Sequence, residues 1–106
     1  MPLDVAEGWT AQIQLILKAD GTRVIFSSTG DTPELILKDR YGTVYSTSGD
    51  IAWAFASCGV VGYTPGVKDL LAIRSPYAAR FKVTDSGNRI VFFPNGAPDK
   101  WTVWPP

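Results

Sequence analysis

Apolar and polar residues alternate along most of this chain, and Gly, Pro, Asn, Asp and Ser interrupt them about every eight to twelve residues. A side-chain period of two means strands, and interruptions that close together mean short strands joined by tight turns. The 3.6-residue period of a helix fits the apolar positions far less well.

The pattern places a first strand over residues 11–17, with Ile13, Leu15 and Leu17 on one face and Gln12 and Gln14 on the other. Asp20-Gly21 is a hairpin turn, and Val24 and Phe26 alternate on the return before a polar loop over 27–33. Leu35 and Leu37 lead to a turn at Asp39-Arg40-Tyr41-Gly42, with Val44 beyond it. Large and small apolar residues alternate over 51–56, where Trp53 is the expected central ring of the core. A further strand covers 59–63, and 67–73 has room for one helical turn before Pro76. The clearest strand is 77–84, in which Tyr77, Ala79, Phe81 and Val83 oppose Arg80, Lys82 and Thr84. The turn Asp85-Ser86-Gly87-Asn88 returns the chain antiparallel over 89–93, and after a loop at 94–99 the last strand runs over 100–104. The expectation is all-β: an immunoglobulin-like antiparallel β-sandwich of about seven to eight short strands. It is one domain over 1–106, with 1–8 and 104–106 as extended arms.

Composition narrows function. A chain of 106 residues hides only about 60–68% of its unfolded surface, so the apolar content goes into a single core. There is no histidine, which removes Ser-His-Asp and Cys-His catalysis, imidazole metal ligands and a histidine switch. Glu7 and Glu34 are the only glutamates and neither is placed as half of a glycosidase pair, while most of the aspartates sit beside turn residues. Ser46-Thr47-Ser48-Gly49-Asp50 lacks the regular spacing of a calcium loop. No catalytic residue, metal or cofactor is expected. Ten Lys and Arg balance ten Asp and Glu, leaving no field to hold nucleic acid or an anionic membrane. The lone Cys58 has no basic neighbour and reads as buried filler. An acidic start and a longest apolar run of six residues, 51–56, imply neither signal peptide nor membrane span, hence synthesis in the cytoplasm.

The four tryptophans carry most of what the sequence says about binding. Trp101 and Trp104 are three apart on one strand and so face opposite ways. Trp53 and Trp101 are expected in the core, Trp9 over one end of the sandwich and Trp104 at the chain terminus, with the alternative that Trp104 and Pro105-Pro106 form a docking patch for a neighbouring protein. A second possibility is a carbohydrate-binding module, with exposed rings stacking on sugars of a host surface.

The segments Gly59-Val60-Val61-Gly62-Tyr63, Asp69-Leu70, Pro76 to Asp85, Phe93-Pro94-Asn95 and Trp101-Thr102-Val103 together resemble a bacteriophage family. These are the small immunoglobulin-like domains related to the N-terminal part of phage baseplate upper proteins. The resemblance covers roughly residues 59 to 103, with Pro76 standing where the family usually has Gly. It implies a non-enzymatic virion protein of head, neck or tail, present in many copies, with other phage structural proteins, or further copies of itself in a homo-oligomer, as partners. The expected contact residues are Trp9, Asp31, Pro33, Asn95, Pro98, Trp104 and Pro105. The alanine side of 51–56 carries little charge, so it is expected either to pack inside or to meet another subunit.

Overall fold

The computed structural model describes residues 3–19, 22–45, 50–66, 69–94 and 96–106. The Asp20-Gly21 turn, the 46–49 part of the weighed calcium loop, Val67-Lys68 and the contact candidate Asn95 lie outside the described residues.

Among the described residues eleven strands follow in chain order: β1 (Leu3–Ala6), β2 (Ile13–Ile16), β3 (Lys18–Ala19), β4 (Thr22–Arg23), β5 (Thr32–Lys38), β6 (Val44–Tyr45), β7 (Asp50–Phe55), β8 (Val60–Thr64), β9 (Tyr77–Thr84), β10 (Ile90–Phe93) and β11 (Asp99–Trp104). They form a six-stranded sheet in the order β1-β11-β9-β5-β6, with β10 also on β9, and a three-stranded sheet in the order β2-β8-β7. A small β3–β4 ribbon stands apart from both. The two sheets pack together as an immunoglobulin-like sandwich, and buried residues from both make one core. The strong alternation of β9 makes it the hub. One flank pairs with β5 along its whole length, and the other takes β10 at one end and β11 at the other.

One pairing departs from the antiparallel expectation. The segment read as an arm holds β1, which runs parallel to β11 from Leu3 opposite Trp101 to Ala6 opposite Trp104. Its inward residues, Leu3 and Val5, pack against the core, and the Glu7 N–H donates to the Trp104 carbonyl at 2.8 Å. Pro33, expected in a loop, lies inside β5 opposite Val83. Among the described residues, β6 pairs with β5 only at Leu37 and Lys38, and a proline, which has no N–H to donate, sits in a sheet where that position needs no ladder bond.

The central ring is Trp101, 1% exposed, and not Trp53. Tyr63 stacks on Trp101 with centroids 6.0 Å apart, and Phe81 leans on it at 6.3 Å. Trp53 is only partly buried; it stacks on Phe26 at 4.5 Å, and its indole N–H donates to the Asp31 carbonyl at 2.7 Å. The reason is position in the sheet. β7 is an edge strand, so its inward side chains meet the perimeter, whereas β11 lies between β1 and β9. A bulge after Trp53 then sets Phe55 opposite Val60 and turns it into solvent. On the alanine side of this strand Ala52 is exposed.

The β7–β8 connection is a 3-10 turn, Ala56–Cys58, closed by Gly59 with φ of 71°. A Cβ at Gly59 would come within 2.5 Å of the Val24 carbonyl oxygen, so only glycine fits. Cys58 is exposed on this turn and not buried, because the turn lifts it off the sheet.

Side chains pin the long β8–β9 connection. The Tyr63 hydroxyl and the Gly66 N–H both donate to Asp69 Oδ2 at 2.9 Å, and the Leu71 N–H donates to the Tyr77 hydroxyl at 3.0 Å. A tyrosine at the start of a strand gripping upstream backbone is the corner seen in immunoglobulin-type sandwiches. The Ala72 N–H donates to Glu7 Oε1 at 2.9 Å, at the start of the 3-10 turn Ala72–Arg74. Buried Asp39 accepts the N–H groups of Tyr41 and Thr43 and faces Arg74 at 3.3 Å, tying the β5–β6 turn to the same connection.

Candidate functional site

Two exposed indoles meet at the open side of the sandwich. β1 ends one sheet and β2 ends the other, and between them lies a groove of about 450 Å³ lined by residues of both strands and by Trp9, Gln12 and Trp104. Trp104 faces outward because it is out of phase with Trp101 and Val103 on β11; it is 58% exposed. Trp9 follows β1 and is 46% exposed. Each indole N–H is held: that of Trp9 donates to the Ala11 carbonyl at 3.0 Å, and that of Trp104 to Asp4 Oδ1 at 3.3 Å. Each indole edge is thus tethered to the protein while its faces stay in solvent.

Leu3, Val5 and Ile13 supply apolar surface to the groove, and Asp4 and Gln12 supply polar atoms. The Gln12 side chain lies over Gly62, whose missing Cβ leaves it room, and its Oε1 accepts the Gln14 amide at 3.0 Å. Sequence reading singled out Trp9 and Trp104 separately but did not bring them together, and it missed Asp4 and Gln12. The signal available was the alternation of β1, which turns Asp4 outward beside Thr102.

The other expected contact residues are scattered. Asp31 closes its own loop: its carboxylate accepts the Ser27 N–H at 2.7 Å and its N–H donates to the Ser27 carbonyl at 3.0 Å. Pro33 is half-buried in β5. Pro98 is exposed and borders a shallow depression on the outer face of the larger sheet, with Ile36, Val44 and Phe92. Over that depression the Arg80 guanidinium covers the Phe92 ring at 5.6 Å and donates to the Gly96 carbonyl. Pro105 is exposed beyond β11.

A second surface was not anticipated. Among the described residues β10 pairs with β9 alone, and its four residues are all apolar. Ile90 is 50% and Val91 49% exposed, with no charge or proline inside the strand to discourage a further strand from adding there.

Ionisable groups with altered affinities serve the fold. Burial, followed by the Asp69 carboxylate, holds the Tyr63 phenol protonated far above its ordinary range, and burial likewise raises that of Tyr77. Hydrogen bonds from the Arg89 and Gly87 N–H groups hold the Asp85 carboxyl below its usual range. Among the described residues no group of three His, Cys, Asp or Glu side chains could hold a metal ion, and no helix is long and apolar enough to cross a membrane. Compared with known proteins, the chain matches no family model and no curated protein sequence.

Proposed function

We propose that this chain is a non-enzymatic structural subunit of a bacteriophage particle, in the head decoration, neck or tail baseplate, held in many copies by protein–protein contacts. The observation that carries the proposal is the undefended edge of β10. A free domain leaves such an edge open to uncontrolled pairing, whereas a subunit in an assembly has it covered by a neighbour. Support comes also from the motif residues of the resemblance, which lie largely on β8, β9, β10 and β11. The exposed Phe55 and Ile25 add apolar surface for contact.

Mass spectrometry of purified particles of the phage that encodes the chain tests this. The proposal expects the chain in those particles at a copy number matching head or tail symmetry. Its absence from washed particles overturns the proposal.

A further inference from the structure

We infer that the groove between β1 and β2 is a saccharide-binding site for a neutral oligosaccharide of at least two pyranose rings. The inference goes beyond the assembly role and does not depend on it, since the groove and β10 are different surfaces.

A pyranose ring with equatorial hydroxyls presents a flat patch of C–H groups, and an exposed indole face is the protein surface that matches it: large, rigid, apolar and costing little side-chain entropy to hold. The groove has two such faces, Trp9 and Trp104, both exposed. A sugar gains most from rings whose freedom is already restricted, and hydrogen bonds from both indole N–H groups tether one edge of each ring to the protein.

Polar atoms choose among apolar ligands. The carboxylate of Asp4 accepts hydrogen bonds and can take a pair of vicinal hydroxyls, and the Gln12 amide offers both donor and acceptor chemistry. Among the described residues, Asp4 is the one charged side chain lining the groove, so an acidic saccharide is repelled and a neutral one is favoured. The volume, about 450 Å³, falls within the usual range for small-ligand sites and is open enough to admit a chain from the side. A saccharide offers C–H faces to the rings and vicinal hydroxyls to the exposed Asp4 carboxylate, whose Oδ1 also accepts the Trp104 indole N–H, and this combination makes it the favoured occupant.

The test uses the intact chain and the indole N–H signals of its four tryptophans in a nitrogen–proton correlation spectrum, with cellohexaose, chitohexaose and maltohexaose as probes. The expected result is that at least one hexaose moves the Trp9 and Trp104 signals and leaves those of Trp53 and Trp101 in place, with a Kd on the order of 0.1–1 mM. Trp9→Ala and Trp104→Ala should each weaken that binding about tenfold while the melting temperature stays near that of the native chain. Because the shifts are read in the native chain, a poorly folded variant does not blunt the test. No movement of either signal with any of the three sugars overturns the inference. So does a shift that survives both substitutions, or an apolar peptide that moves the two signals when none of the hexaoses does.

Discussion

Trp101 and Trp104 stand three positions apart on β11, and the pleat sends one ring into the core and the other into solvent. Truncation should separate them in energy. Trp101→Ala is expected to cost about 3–5 kcal/mol, because it empties the middle of the Tyr63–Trp101–Phe81 cluster. Trp104→Ala is expected to cost about 1 kcal/mol or less, and urea denaturation of both variants checks the contrast. That opposition was legible from spacing alone. The half-exposed place of Trp53 was not, because residue alternation tells which face a side chain takes and says nothing about whether its strand is central or at an edge. Cys58 failed for a related reason, since a 3-10 turn has no period-two face to assign. The two raised phenols make a second residue-scale prediction. In the unfolded chain Tyr63 and Tyr77 ionise near 10.0, whereas in the fold both hold their protons to higher pH. The folded state then carries the extra protons, so their contribution is intact below about pH 10 and is lost as pH rises beyond it. Stability measured by denaturant at pH 8, 10 and 11 should fall over the last interval, and Tyr63→Phe should flatten part of that fall.

Among the elements, β9 was readable throughout because it is buried on one face and half-buried on the other along its whole length, and its turn partner β10 followed from the Asp85–Asn88 chemistry. β1 was not. Four residues give little periodic signal, and its only strand partner, β11, lies almost a chain length away. β5 was read short because a proline normally ends a strand, whereas in the fold Pro33 is paired opposite Val83 of β9, a partner fifty residues away that no local pattern announces. For β10 the expectation concerns association. Ile90→Lys places a charge on the exposed side of that edge. It should change folding stability by no more than about 0.5 kcal/mol. Assembly with neighbouring subunits, read by sedimentation and by incorporation into particles, should drop about tenfold; an unchanged sedimentation profile and full incorporation would remove β10 from the contact surface.

At the scale of the molecule, the sandwich was legible because turn spacing and alternation agree along most of the chain, but the groove was not. Asp4, Trp9, Gln12 and Trp104 come together only because β1 docks beside β11 near the edge strand β2, a fact of topology that no local pattern encodes. Deleting residues 1–8 therefore should do more than trim an arm. It removes Leu3 and Val5 from the core margin and Glu7 from the Ala72 N–H, and is expected to cost about 2–3 kcal/mol in thermal or chemical denaturation. The direction of that pairing has a mechanical side as well. Because β1 and β11 run the same way, tension entering at the leading end of β1 and leaving at the trailing end of β11 slides the two past each other. The evenly spaced bonds of a parallel ladder then share the load and break together, in place of opening one by one like a zip. A domain wired in this manner is strongest along that axis, the direction in which a tether through it would be stretched.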